Sequence, residues 1–428
     1  MDKKRDIGAF LVKNAVTIMF VLLTIVCFQF SGLSLPYVMG ELVGRISRNA
    51  FIVLALIIPI VAGMGINFAI TIGAMAAQIS LLWVLEWQIP GALGLFVAAL
   101  MTLPIATGFG YLVGKLLNRM KGQEMIGSMI LGFFTNGLYQ LLFLFIFGNL
   151  IPLNAPNLVI KGARGVANTM DLKPAGIMYA LDNLFMDGRR LMFEQTLYIV
   201  SAAAVLLMLV SLLRKRTELK RFLIITTSLA AACAAMWIPA FTIGSVQIPA
   251  MRQIFGMKVP PATFVAIGLL CLFNSAIMRT KLGQDFRAVG QNGTVANAAG
   301  INVDRTRLIA IIFSTVLAAW GQLIFVQNMG NFQTYNAHEQ IGLYAGAAIL
   351  VGGASLVKAT NGQALLGCIL FHALFIVAPP AGNSLFGDAA IGEYFRVFIS
   401  YGVIAIALVM HAWGAGQKRK PQNAIRST

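Results

Sequence analysis

A chain of 428 residues that is 58% hydrophobic and only 11% charged, with a mean hydropathy of +0.81, carries too little polar surface for a soluble domain of its length and reads as a polytopic membrane protein. Its 32 Lys and Arg against 15 Asp and Glu give a net charge of +17, but the basic residues stand between apolar runs, as the positive-inside rule requires, so a nucleic-acid surface is excluded. Cys27, Cys233, Cys271 and Cys368 are isolated within apolar runs and have no metal or redox spacing.

From the N-terminus, MDKKR precedes an apolar run to Phe30 with no small-x-small cleavage site after it. This predicts an uncleaved first span that starts in the cytoplasm. A helix needs about 20 mainly apolar residues to cross a bilayer. Runs of that kind fall near 14–32, 50–65, 66–85, 91–114, 126–149, 195–213, 222–243, 261–279, 308–327, 340–357, 361–379 and 394–413. The expected fold is an all-α polytopic membrane protein with about 10–12 transmembrane helices. The densest basic clusters, 115–121, RKRTELKR at 214–221, 280–308, Lys358 and the tail with Lys418, Arg419 and Lys420, share one side if both termini are cytoplasmic.

Two places break the pattern. GMGIN at 63–67 joins two nearly continuous spans, and 340–357 is short and rich in glycine, with Gly342, Gly346, Gly352 and Gly353. Such interruptions either line a cavity or mark close packing through small residues. Residues 150–194 form the longest expected periplasmic loop, with an amphipathic piece near 175–192 that lies on the membrane surface or touches a partner. The chain divides into two groups of spans, 1–213 with that loop and 214–428 with a polar cytoplasmic loop at 280–308.

Catalytic readings fail on the residues. His338, His372 and His411 are far apart, and each is expected to be satisfied by a neighbour rather than to bind metal. GFGYLVGKL at 108–116 has the wrong glycine spacing for a phosphate loop and no Ser or Thr after Lys115, so no ATP site is expected in the chain. Ion coupling needs an ionisable group near the bilayer midplane, whereas Glu86, Glu124 and Glu339 fall at the ends of the expected spans. Uncharged amides are the better sign of a solute route: Asn67, Gln78, Asn136, Gln140, Asn274 and Gln322 either pair across helices or line a wet path. With Phe68 and Phe134 beside them, they suit an uncharged polar ring compound.

The loop TKLGQDFRAVGQNGTVANAAGINVDRTRL at 280–308 sets Arg287, Arg305 and Arg307 beside Asp285 and Asp304. A short helix is expected over 294–299, ended by Gly300, and reads as a docking surface or a solvated loop. RAVGQN, AAGINVDRTR and the following LAAWGQLIF resemble the cytoplasmic loop and next span of ABC importer permeases of the ribose, nucleoside and branched-chain amino-acid superfamily. GINFAITIGAMAAQ at 65–78, GKLLNRMKGQEMIGSMILGFF at 114–134 and GLYAGAAILVGGASL at 342–356 are similar to that superfamily as well, the second to its simple-sugar and nucleoside branch. In one respect the chain departs from it: Asn292 is followed by Gly293, Thr294, Val295 and Ala296, where relatives often place an acidic residue before paired alanines.

The resemblance implies a permease subunit, not an enzyme, that couples to an ATPase through Asp285, Arg287, Ala288, Val289, Gly290, Gln291, Asn292, Ala296, Ala299 and Gly300. The amides and their aromatic neighbours set the expected translocation path at Asn67, Phe68, Gln78, Phe134, Asn136, Gln140 and Asn274, and for the run at 65–78 the resemblance implies the same role. Implied partners are an ABC ATPase that binds ATP and Mg, a periplasmic substrate-binding protein, and a second permease copy or homologue, in a bacterial inner membrane. Simple sugars or nucleosides rank first as substrate. A branched-chain amino-acid or flavin permease, an ion-coupled transporter and a membrane scaffold are the alternatives.

Overall fold

The computed structural model describes residues 14–155, 158, 166–186, 191–213, 219–243, 246–388, 390–398, 401–402, 404–406 and 409. The first helix, α1 (Ala15–Ser31), stops where Gly32 takes a left-handed conformation, φ +65°. Next, α2 (Leu35–Ala55) starts with a proline in its first turn and continues through the single-turn α3 (Ile57–Val61) as one span, Leu35–Val61. The span expected near 50–65 therefore begins at Leu35, because Glu41, Arg45 and Arg48 interrupt the apolar run but not the helix. The chain then breaks at GMGIN, where Gly63 and Gly65 have φ of +77° and +68°.

Beyond the break come α4 (Ile70–Glu86), α5 (Gly91–Arg119) and α6 (Glu124–Leu141), which runs into a π turn at Leu142–Ile146. On the side of the bundle that receives the end of α6, β1 (Thr169–Asp171) leads to α7 (Ala180–Met186). Next, β2 (Leu191–Met192) opens a helix pair, α8 (Phe193–Leu213) and α9 (Leu219–Ala235). The span expected at 222–243 ends at Ala235, ahead of Pro239, and a hairpin of β3 (Phe241–Ile243) and β4 (Val246–Ile248) follows. After α10 (Met251–Ile254), β5 (Lys258–Val259) pairs antiparallel with β2.

In the last part, α11 (Pro261–Ile277) bends by 76° into α12 (Lys281–Gln291). Asn292 caps α13 (Gly293–Ala298), one residue ahead of the expected 294–299, by accepting from Thr294 N and Val295 N. Asn302 likewise caps the long α14 (Val303–Met329). Its end leads into β6 (Asn331–Gln333), which pairs with β1 in the register Thr169↔Gln333. The glycine-rich segment expected at 340–357 is helical only over α15 (Ile341–Val351), because Gly352 and Gly353 stop it. The span expected at 361–379 extends as α16 (Asn361–Phe386) with Pro379 and Pro380 inside it. Residues 390–398 are helical, but much of the expected 394–413 span lies outside the described residues, as do MDKKR, 214–218, His411 and the basic tail.

Among the described residues five helical segments are long and apolar enough to cross a membrane, six if the bent α11–α12 pair counts as one, and five shorter apolar helices accompany them. The architecture is an all-α polytopic membrane fold. At its centre α14 packs against α5, α4 and α2, while α16 packs against α1, α2 and α15. Nearly every residue of α4 is buried, as expected of a helix that is apolar all round. Gly73 lets α4 approach α14 so closely that a side chain would strike the Thr315 carbonyl. By contrast, only 11% of the apolar window of α6 and its π turn is buried, and Phe133, Phe134 and Phe145 along it are exposed.

Candidate functional site: a buried amide–histidine cluster and the loop helices

The two interruptions foreseen in the sequence meet. A Cβ on Gly342 would lie 2.6 Å from the Phe68 carbonyl, and one on Gly346 would lie 2.9 Å from Ile66. Only glycine lets α15 seat so tightly on the broken segment. Ser128 of α6 closes the third side, its hydroxyl accepting from Phe68 N at 3.1 Å. Asn67 turns inward, and its Oδ1 accepts from Ala69 N at 3.1 Å, a local bond that stabilises the non-helical backbone.

Next to this junction His338 stands between two amides. Its Nε2 is 2.7 Å from Asn136 Oδ1, and its Nδ1 is 2.9 Å from the Gln78 side-chain amide. Asn136 Nδ2 donates to Glu339 Oε1 at 2.9 Å, which fixes that amide with its oxygen toward the ring. His338 is therefore protonated on Nε2, leaving Nδ1 as an acceptor. The atom that stands opposite Nδ1 is Gln78 Oε1, so the Gln78 amide is assigned the flipped orientation, in which Nε2 donates to Nδ1 and no longer lacks an acceptor. Tyr139 meets the imidazole edge-on at 4.4 Å, and its hydroxyl donates to the Thr334 carbonyl at 2.9 Å.

A cavity of about 190 Å³ opens beside the cluster. Phe68, Thr71 and Met75 form one wall, and Asn136, His338 and Glu339 supply the polar groups. A mostly apolar hollow with a few convergent polar groups is the usual form of a small-molecule site. Chemically it offers a ring face, hydroxyl-compatible amides and one carboxylate.

The sequence-predicted path residues do not all reach it. Phe68 and Asn136 line the cavity, and Gln78 touches it through His338. Phe134 is exposed on α6 and lines no part of it, whereas Phe133, also exposed, stands at its edge. Gln140 is half-buried on the same helix and lines no part of it. Asn274 lies elsewhere, its Nδ2 shared between the Leu54 carbonyl at 3.2 Å and Asn361 Oδ1 at 3.3 Å. Gln322 is fully buried and has no hydrogen-bond partner. Sequence reasoning missed Glu339 and the joining role of His338. Their signal was weak, because the partners lie 202 to 260 residues away in the chain.

At one end of the bundle, α12 and α13 form the loop's surface. Phe286 and Val289 bury one face of α12, while Arg287 and Gln291 are exposed and Asp285 and Ala288 are partly so. Gly290 sits against the break after α3, where a side chain would collide with the Val61 carbonyl. On α13 the faces differ from expectation: Ala296 is 3% exposed and points inward, while Val295 is 63% exposed. Asn292, Ala299 and Gly300 are exposed too. The 120–124 turn is tied to the same end, since Lys121 Nζ pairs with Asp304 Oδ1 at 2.9 Å and Arg307 pairs with Glu124. A concave recess of about 750 Å³, lined by Lys121, Thr294, Asn297, Asn302, Asp304 and Arg307, lies between them.

Comparison with known proteins matches the chain, over residues 38–410, to the family described as branched-chain amino acid transport system / permease component. It is 34% identical over 112 residues to the autoinducer 2 import system permease protein LsrC of Klebsiella pneumoniae, covering 26% of this chain and 32% of that one. It is 29% identical over 153 residues to the xylose transport system permease protein XylH of Haemophilus influenzae, covering 36% and 38%. To the nucleoside ABC transporter permease protein NupB of Lactococcus lactis it is 31% identical over 120 residues, covering 28% and 32%. The matched stretches thus span about a third of the length of these relatives. No solved structure matches the chain. A match that runs through both the buried cluster and the loop helices places them in one common framework: the chain belongs to the branched-chain amino acid transport system / permease component family.

Proposed function

We propose that the chain is the membrane-spanning permease subunit of an ABC importer that moves a small polar solute, a simple sugar or nucleoside, across the bacterial inner membrane. The family match over 38–410 carries this reading, and relatives named for xylose and nucleosides support the substrate class. The solute passes the cavity beside Phe68 and Asn136, where amides and His338 bond hydroxyls or base edges without requiring charge, with Asn67 and Gln78 next to it; Gln140 and Asn274 stay off this cavity and serve other parts of the path. Phe134 is exposed on α6 and lies off the cavity.

In this reading α12 and α13 are the coupling element. Arg287, Gln291, Asn292, Ala299 and Gly300 expose the surface that meets a partner ATPase, which binds ATP and Mg, while Val289, Gly290 and Ala296 seat the same segment against the bundle and Asp285 and Ala288 lie at its edge. Both termini lie in the cytoplasm, a periplasmic binding protein delivers the solute at the opposite face, and a second permease completes the pore. ATP-driven closure of the partner pushes α12 against the broken segment at Gly63 and alters access at the cavity.

Purification of the tagged chain from its native membrane in mild detergent, followed by mass spectrometry, tests the assignment. An ATPase with phosphate-loop motifs is expected in stoichiometric amount. A chain that is reproducibly alone after crosslinking, with uptake that follows an ion gradient instead of ATP, would overturn it.

A further inference from the structure

On the other side of the 337–345 segment from the cavity beside Phe68 lies a second void of about 130 Å³, lined by Asn49, Ile52, Phe325, Gln340, Tyr344 and His372. Gln340 lines both spaces. A single water needs only about 10–15 Å³ of such space, so this void admits several non-hydrogen atoms. His372 is 6% exposed, and its Nδ1 has no hydrogen-bond partner. A buried polar atom in that state is costly, and one that borders a void is a contact ready for a ligand.

The electrostatics favour one kind of ligand. The charges that bear on His372 are those of Arg45, Arg48 and Arg396, all cationic. Glu41 pairs with Arg45 at 3.8 Å and Glu393 pairs with Arg396. Arg48 instead donates to the Gly44 carbonyl at 3.0 Å and to the Met329 sulfur at 2.6 Å, and it has no carboxylate partner among the described residues. Among the described residues Arg48 is thus a cation without a carboxylate, and it leaves positive charge beside the void. Arg396 is linked to the void through Phe375: its guanidinium lies 4.5 Å from that ring's centroid, and the ring meets Tyr344 edge-on at 5.1 Å.

We infer that this void is a subsite for an anionic group, a carboxylate or phosphate, carried by a small solute, with His372 Nδ1 and the Tyr344 hydroxyl as donors. Arg45 and Arg48 supply the field that draws the group in. The subsite rests on the permease reading only for its ligand being cargo. Its consequence is a preference within the sugar class for acidic or phosphorylated members over neutral ones.

Equilibrium dialysis of the full chain in lipid nanodiscs tests this with radiolabelled ribose, ribonate, ribose 5-phosphate and inorganic phosphate as probes. Ribonate or ribose 5-phosphate is expected to bind at least tenfold more tightly than ribose. Arg48→Gln should weaken that binding severalfold, and His372→Phe should abolish it. Tyr344→Phe, a smaller change, keeps the test decisive if His372→Phe does not fold. Inorganic phosphate that binds as well as the sugar derivatives and displaces them would support the anion subsite and identify the free ion as its source. Equal binding of ribose and its anionic derivatives, or anion binding unchanged in both Arg48→Gln and Tyr344→Phe, would overturn it. Co-purification of an ATPase is read separately: its failure with anion binding intact removes the permease reading and leaves the subsite standing.

Discussion

Gly63 and Gly290 meet backbone to backbone: a Cβ on Gly63 would lie 2.6 Å from the Gly290 Cα, and a Cβ on Gly290 would lie 3.0 Å from Gly63 N. The contact joins the break after α3 to the last turn of α12, so the loop helices bear directly on the interrupted span. Gly290→Val is expected to force them apart at a cost of about 1–3 kcal/mol, the usual range for overpacking. In proteoliposomes with the ATPase partner, ATP hydrolysis should persist while uptake falls at least tenfold. Normal uptake in this variant would rule out transmission through the contact.

Arg307 and Glu124 form an ion pair with side chains only 8% and 13% exposed. Removing one partner strands the other charge, so Glu124→Ala should cost about 3–5 kcal/mol. The double variant Arg307→Met with Glu124→Ala should lose less than either Arg307→Met or Glu124→Ala alone. Thermal unfolding of the four proteins in detergent gives the coupling energy, and additive losses would show that the pair does not act as a unit.

Lys121 and Asp304 are close by, yet both side chains are 59% exposed. Solvent and salt screen such a pair, so Asp304→Asn should shift stability by no more than about 1 kcal/mol. The same unfolding assay measures it. A loss comparable to that of Glu124→Ala would mean that the turn at 120–124 depends on this surface pair.

His338→Leu leaves the buried Gln78 amide without its partner, worth about 1–3 kcal/mol, and takes from the half-buried Asn136 Oδ1 its donor. Uptake and unfolding temperature should both fall. Asn136→Asp should also impair uptake, because it sets a second carboxylate against Glu339. Adding Glu339→Gln restores one donor facing one carboxylate and should recover part of the activity. Radiolabelled ribose uptake in whole cells distinguishes these outcomes, and no recovery in the double variant would argue against the assigned donor direction.

Val295 and Ala296 divide α13 into an outer and an inner face. Val295→Glu should reduce ATPase co-purification at least tenfold without lowering the unfolding temperature. Ala296→Leu should instead destabilise the loop by about 1–3 kcal/mol through overpacking. Pull-down yields and melting curves for the two variants separate docking from folding, and equal effects on both readouts would undo the assignment of faces.

The long helices were legible because α5, α6 and α14 each hold one unbroken apolar run. The start of α2 was not, since Arg45 and Arg48 are polar in sequence yet sit along one helix that borders a void. Pro239 and the Gly352–Gly353 pair mark where two expected spans stop short, but an apolar average hides such breaks. In the cavity, Phe68 and Asn136 were readable as polar or aromatic positions within spans. Phe134 and Phe133 could not be told apart, because a run of neighbouring aromatics gives no phase to a helix with so little of its surface buried. Glu339 was read as the end of a span, and only tertiary packing brings it to Asn136.

Pro379 and Pro380 lie within α16, and a proline has no N–H to offer the carbonyl four residues earlier. The carbonyl oxygens of Phe375 and Ile376 thus lack their regular helical donors, one turn beyond His372. Tilting the last turns of α16 against the rest would break no hydrogen bond to those two carbonyls, so this joint resists bending less than the ladder on either side of it.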